Sequence, residues 1–284
     1  MAYEKKKRRI SIIMAIYNCA PTLREAIDSI IAQTYTNWEL ILCDDCSTDN
    51  TAAIAQEYVD QYDNILLIRN ERNLRLAASL NHCLEYADSE YIGRMDGDDI
   101  SLPERFEEEV AFLDAHPEYA LVSCGMINFD ENGDWGVQLK PEKPTKKSFV
   151  ADSPFCHAPV LMRREALNDV DNYTVRDDLK RGQDYFLWHK FYMKGYKGYN
   201  IQRPYYKMRD DQEAATRRGF NEGWTNRIKK GIMCSRVKYE VLKDLDIPLK
   251  YRLYSIRPLL VALFPKSLYM YLHKKKINSR DVNI

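Results

Sequence analysis

The sequence predicts an α/β fold, with a mostly parallel central sheet, helices on both faces and a helical C-terminal tail. Three observations predict it. In the first hundred residues, four strand-length apolar runs are separated by three segments of helical period. The first run, residues 9–17 (RISIIMAIY), is almost continuously apolar, as a parallel strand covered on both faces must be. Polar residues collect directly after the strands, where open α/β sheets bind their ligands.

The elements follow in order. Residues 22–33 form a helix with Leu23, Ala26, Ile27, Ile30 and Ile31 on one side, and 38–43 (WELILC) form the second strand. A second helix covers 51–62, a third strand 65–68, a third helix 76–87 and a short fourth strand 91–95. This β-α-β-α-β-α-β order implies parallel strands joined by right-handed crossovers. Beyond it lie a helix at 103–114, opened by Pro103, a strand at 120–129 and a turn at Asn132-Gly133. Residues 140–147 (KPEKPTKK) are a solvated loop. Residues 159–162 are a strand, 164–170 a short helix and 184–194 a longer helix.

Length and composition narrow the class. The chain has 284 residues, of which 45% are hydrophobic and 30% charged, which excludes collagen-like and disordered chains. No apolar run reaches the roughly 18–20 residues that span a bilayer. Twenty tyrosines suit wet interfaces and polyhydroxylated ligands. The basic run Lys5 to Arg9 precedes no small-residue cleavage site, so no signal peptide is expected. Seven scattered cysteines are expected to be reduced thiols, and the Cys43-x-x-Cys46 spacing lacks the second ligand pair that a zinc site needs.

The net charge of zero hides an asymmetry. Residues 227–284 carry 14 Lys and Arg against 4 Asp and Glu, a balance of +10, and the remainder carries −10. The expected division is therefore residues 1–225 as the catalytic domain and 226–284 as a basic, amphipathic helical extension. Within it, residues 251–272 mix Leu, Phe and Tyr with Arg252, Arg257 and Lys266, ahead of Lys274-Lys275-Lys276. Such a segment fits an anionic membrane surface. The alternative is a helical subdomain packed on the catalytic domain or on a second copy, as in a homodimer. No nucleic-acid partner is expected.

Two acidic clusters carry the chemistry. Asp96-x-Asp98-Asp99 follows the fourth strand, and mutually repelling carboxylates there suit a hard divalent cation such as Mn²⁺ or Mg²⁺. The plain alternative is helix capping by Asp98, Asp99 and Ser101. Asp44-Asp45 follows the second strand, ahead of Ser47, Thr48 and Asp49, which are themselves candidate caps. A carboxylate here can accept from a nucleobase N–H or a ribose hydroxyl, and Tyr17 on the neighbouring strand end can stack on the base. No G-x-G-x-x-G follows the first strand and no Walker A sequence occurs.

These motifs resemble family 2 glycosyltransferases across roughly residues 9–218. The resemblance rests on Ala15-Ile16-Tyr17-Asn18, Gln33-Thr34-Tyr35, Asp44 to Thr51, Asn73 to Asn81, and Glu90 to Asp99. It extends to His157-Ala158-Pro159-Val160, Arg163 to Leu167, and Gln183 to Trp188. It implies a GT-A fold, an inverting mechanism, a nucleotide-sugar donor and Mn²⁺ or Mg²⁺. It implies that Tyr17 and Asp45, with Asp44 beside them, contact the nucleoside. Asp96 would lie near the ribose and metal, Asp98 would ligate the metal, and Asp184 would be the catalytic base. Gln183 stands where the family often has Glu, and Arg75 where it often has Gly. Arg75 either binds donor phosphate or faces solvent.

His157 is read either as a metal or acceptor contact or as a half-buried structural histidine. Arg217-Arg218 is either a pyrophosphate clamp or a solvated basic pair. The expected function is transfer of one sugar, from a UDP-linked donor, to a glycan or lipid-linked acceptor in surface-polysaccharide assembly. The protein would work in the cytoplasm, at the inner face of the membrane. The alternatives are a nucleotidyltransferase, whose Gly-rich basic loop is missing, and a silent nucleotide- or carbohydrate-binding module, against which Asp184 argues.

Overall fold

The computed structural model describes residues 8–179, 182–210 and 223–264. Arg217, Arg218 and the part of the basic tail beyond Phe264 lie outside the described residues. The first half runs β1 (Ile10–Ile16), α1 (Ala20–Ile31), β2 (Trp38–Asp44), α2 (Thr51–Val59), β3 (Ile65–Arg69), α3 (Leu76–Tyr86) and β4 (Tyr91–Arg94). These strands lie in the order β3-β2-β1-β4, all parallel.

Alternate side chains of the strands enter two separate cores. Ile13, Ile41, Cys43 and Ile92 pack with Leu80, Cys83 and Leu84 of α3. Ile10, Ile12, Met14, Leu40 and Leu42 pack on the other face with Leu23, Ile27 and Ile30 of α1. Burial on both faces is why the first run carries apolar residues at nearly every position rather than at every second one.

The second half is mixed. It contains β5 (Ile100–Ser101), α4 (Arg105–Ala115), β6 (Leu121–Asp130), β7 (Gly133–Gln138), α5 (Ser148–Ala151), β8 (Val160–Arg163), α6 (Arg164–Asp169), α7 (Gln183–Met193) and β9 (Gly198–Arg209). The sheet continues β4-β8-β6-β9-β5, with β7 paired to β6. β8 runs antiparallel to both β4 and β6, and β9 runs parallel to β6. The parallel arrangement therefore holds for the first four strands, and antiparallel pairs interrupt it beyond them. β9 lacks a clean two-residue alternation, and Pro204 sits where its register with β6 shifts, as a proline within a sheet must.

The last described elements are α8 (Trp224–Asp244), α9 (Leu249–Arg252), a 3₁₀ turn (Leu253–Ile256) and α10 (Arg257–Ala262). Val237, Val241 and Leu242 of α8 join the core that contains Phe186, Leu187 and Phe191 of α7. Arg176 ties the same helix down, 2.8 Å from Glu240. Gly231 lets α10 cross closely, since a Cβ there would lie 3.0 Å from the Cα of Leu259. The outer side of this segment stays apolar and exposed at Leu253, Tyr254, Ile256, Leu260, Leu263 and Phe264. No helix among the described residues is long and apolar enough to cross a membrane. All seven cysteines are free thiols.

Candidate active site

The carboxyl ends of β1, β2 and β4 form one rim. Tyr17, just past β1, is 47% exposed. The β1 and β2 ends are fastened to each other. The Asp45 N–H donates to the Ile16 carbonyl (2.9 Å), and Asn18 Oδ1 accepts from the Thr48 N–H (2.8 Å). Asp44 is fully buried. Its Oδ1 accepts the Ser47 N–H at 3.1 Å, and its Oδ2 lies 3.0 Å from Arg69 Nε. Asp44 thus holds the loop from beneath and has no open face toward a ligand. Asp49 accepts the Thr51 N–H (3.0 Å) and the Ala20 N–H (3.2 Å), bridging the starts of α2 and α1.

Asp45 is also buried, and its oxygens are taken from the side of β3. Oδ1 accepts from Asn70 Nδ2 (2.8 Å) and the Leu74 N–H (2.7 Å), and Oδ2 from the Arg75 N–H (2.8 Å). Arg75 sits at φ 72°, ψ 169°, a region that essentially only glycine occupies freely. A side chain there costs about 1–3 kcal/mol, which the three bonds to Asp45 offset. The Arg75 side chain is exposed.

The acidic turn after β4 is held from several sides. One ligand oxygen from each of Asp96, Asp98 and Asp99 lies within 4.8 Å of the others. Asp96 pairs with Arg94, which is 3% exposed, and the Asp96 N–H donates to the Tyr206 hydroxyl at 3.2 Å. Asp99 Oδ1 accepts the Arg209 N–H from β9 (2.8 Å), and Arg209 Nε donates to the Asp98 carbonyl (3.0 Å). From α1, Thr22 Oγ1 donates to the Gly97 carbonyl at 2.9 Å. Burial, and then the neighbouring Asp98 and Asp96 charges, push the Asp99 carboxyl well above the usual range. The next helix starts only at Arg105 and has no side-chain cap, so capping does not account for the cluster. Three hard oxygen donors that repel one another are a set that suits a divalent cation.

Asp184 and His157 both feel the charge of Arg94, the partner of Asp96. Asp184 lies in the first turn of α7, whose N-cap is Gly182 at φ 89°. Its Oδ2 accepts from Ser153 Oγ at 3.2 Å. Burial pushes the Asp184 carboxyl upward, against the opposing pull of Ser153 and of the Arg94 charge. His157 Nε2 shares a 2.9 Å hydrogen bond with the Tyr173 hydroxyl, and its ring meets Trp188 edge-on at 5.9 Å. Burial, then Arg94, drive His157 well below its ordinary value, so it is neutral near pH 7.

The geometry adds residues that the motifs missed. Arg94 is a buried cation felt by Asp96, Asp184, His157, Tyr173 and Tyr206. Its Nε has no hydrogen-bond partner. Beneath it Arg105 Nη2 donates to the Arg94 carbonyl (2.9 Å) and Arg105 Nε pairs with Glu109, both side chains fully buried. A charged residue inside strand four was the available signal, since such a group is buried only with a partner.

A mixed sheet with an acidic turn after its fourth strand, and a buried carboxylate that shares the cation Arg94 with that turn, matches the GT-A glycosyltransferase fold. The chain belongs to glycosyl transferase family 2: the family model, "Glycosyl transferase family 2", matches residues 11–171. It is 43% identical to the putative glycosyltransferase EpsE of Bacillus subtilis, over 95% of this chain and 94% of that one. It is 32% identical, over 63% of this chain and 68% of the relative, to an Escherichia coli protein. That protein is the UDP-Glc:alpha-D-GlcNAc-diphosphoundecaprenol beta-1,3-glucosyltransferase WfgD. The fold matches that of S. aureus TarS 1–349, solved with UDP-GlcNAc, at a TM-score of 0.64 and 18% identity, over 95% of this chain and 88% of that one.

Proposed function

We propose that the protein transfers one sugar, with inversion, from a UDP-sugar to a lipid-linked glycan acceptor in surface-polysaccharide assembly. The observation that carries this reading is the closeness of both the Asp96–Asp99 turn and Asp184 to the same buried Arg94, whose charge each of them feels. The relative that acts on a diphosphoundecaprenol-linked GlcNAc supports the acceptor class.

Tyr17 stacks on the base, Asp45 and Arg75 form the nucleoside edge, and Asp44 holds the loop beneath them. Asp98 and Asp96 hold Mn²⁺ or Mg²⁺, which when bound offsets the charge of the departing diphosphate. Asp184 accepts the proton of the acceptor hydroxyl as that oxygen attacks the anomeric carbon. The sugar–phosphate bond breaks as the glycosidic bond forms, and the nucleoside diphosphate leaves with the bonding pair. Arg94 fixes Asp96 and favours the ionised form of Asp184. Neutral His157 and Tyr173 form the floor on the acceptor side. Arg217 and Arg218 remain candidates for the pyrophosphate.

The protein works at the inner face of the membrane. The exposed apolar residues from Leu253 to Phe264, beside Lys250, Arg252 and Arg257, support an interfacial attachment.

Asp184→Asn tests the reading. It keeps shape and donor binding but removes the base, so transfer should fall about 10²–10⁴-fold while the donor Kd stays within a factor of about three. A variant that transfers sugar at more than a tenth of the parent rate would place the base elsewhere.

A further inference from the structure

We infer that Lys238 and Arg257, on the C-terminal helices, bind the diphosphate of the lipid-linked acceptor, and that its hydrocarbon chain runs on into the apolar cavity between α8 and α10. The inference rests on the lipid-linked acceptor of the reading above. Three observations carry it. First, two cations converge on one neutral oxygen. Lys238 Nζ donates to the Ala151 carbonyl (3.4 Å), and Arg257 Nη1 donates to the same carbonyl (3.1 Å). Ala151 ends α5, and one cation is enough to cap such an end. A second one adds repulsion. Burial holds Lys238 below its ordinary value, the Asp152 charge opposes this, and the Arg257 charge adds to it. Lys238 is only 8% exposed, and neither cation makes an ion pair among the described residues. An anion with several oxygens completes such a pair. Arg257, Ala151 and Asp152 are exposed, so the pair is reached from solvent.

Second, the loop that carries Ala151 also carries Ser153, whose hydroxyl donates to Asp184 at 3.2 Å. Asp152 lies between them, and both Asp184 and Lys238 feel its charge. Lys140 pairs with Asp152 at 3.6 Å, which limits the repulsion of an anion here. Ala151 and Ser153 are two residues apart, about 7 Å of chain at full extension. An acceptor whose hydroxyl meets Asp184 carries its diphosphate across one sugar ring, a span of that order.

Third, an apolar cavity of about 680 Å³ lies between α8 and the turn into α10. Ile232, Tyr239, Leu253, Ile256 and Leu259 stand in its walls. Ile256 directly precedes Arg257, so the apolar wall adjoins the cations. Base, cation pair and apolar cavity thus follow one another in the order of sugar, diphosphate and hydrocarbon chain. A soluble glycan matches only the first of these.

The test is equilibrium binding of farnesyl diphosphate, an isoprenoid diphosphate, to the parent, Arg257→Gln, Lys238→Met and Ile256→Ser. The titration is run in EDTA, so that no metal draws the diphosphate to the acidic turn. Arg257→Gln and Lys238→Met should each weaken farnesyl diphosphate about tenfold or more. Methionine keeps the buried stem of Lys238 and removes only its charge. Ile256→Ser should weaken farnesyl diphosphate and leave inorganic pyrophosphate unchanged. All three should bind UDP with Mn²⁺ as the parent does, which shows that they are folded. Arg257→Gln and Lys238→Met variants that bind farnesyl diphosphate like the parent overturn this inference and leave the acceptor reading standing. Loss of anionic vesicles with farnesyl diphosphate binding retained overturns it in favour of a membrane-headgroup contact. An Ile256→Ser variant that binds farnesyl diphosphate like the parent overturns the part given to the cavity. A parent that binds UDP with Mn²⁺ but no farnesyl diphosphate overturns the lipid-linked acceptor as well.

Discussion

As the proposed base, Asp184 can take a proton only as a carboxylate, so its environment would set the acid side of the pH–rate profile. Burial raises its pKa above the ordinary carboxylate value of about 4. As pH falls through that raised value the base is protonated and transfer is lost. The acid limb of kcat should therefore lie above the position of an exposed aspartate, and a limb at or below pH 4 would contradict the burial seen here. His157 adds no limb near neutrality, since it is already neutral there. The Asp96–Asp99 cluster was singled out in the sequence by its place after the fourth strand, and Asp184 by the Gln183–Trp188 motif that resembles the family. Arg94 was not, because its meaning depends on Asp96, His157 and Asp184 meeting around it, and only tertiary packing brings them together. The readings of Asp44 and Asp45 as ligand contacts came from their position after β2. Their hydrogen bonds turn them inward, toward Ser47, Arg69 and the Asn70–Arg75 loop.

The elements show the same division. β1 to β4 were legible to within a few residues, because each is a short, mostly apolar run, as burial of β1 and β2 on both faces requires. β9 was not, because its solvent side carries Gln202 and Arg203 and its register shifts at Pro204. β5 is two residues long and exists only through its pairing with β9. At the other end of the chain, α8 proves half core: Val237 and Val241 are buried while Trp224 and Tyr239 are exposed. The exposed face beyond it leads to a prediction. Leu253, Ile256 and Leu260 are at least 48% exposed, so replacing all three with Ser should leave the fold intact. The parent should co-sediment with anionic vesicles at low salt and detach at high salt, as a Debye length of about 8–10 Å implies. The triple variant should stay in solution at both. A parent that remains in the supernatant at low salt would make this face a contact for another chain.

In the whole molecule, two cores on opposite faces of one sheet hold the rim loops in place, and function collects where the parallel strands end. Most of what positions the site is legible from the alternation of strand and helix. The tertiary clamps, from Arg209 on the acidic turn and from Asp45 on the loop before α3, are not. The central claim is that this rim is a metal-dependent nucleotide-sugar site. The most direct measurement is the melting temperature of the parent and Asp98→Asn with UDP, with and without Mn²⁺. A ligand at a hundred times its Kd stabilises the folded state by about 2.7 kcal/mol, which for a chain of this size is about 5–10 °C. The account predicts that rise for the parent with UDP and Mn²⁺ together, a much smaller one with UDP alone, and none beyond UDP alone in Asp98→Asn. A parent whose melting temperature does not move with UDP and Mn²⁺, or an Asp98→Asn variant that responds as the parent does, would contradict it.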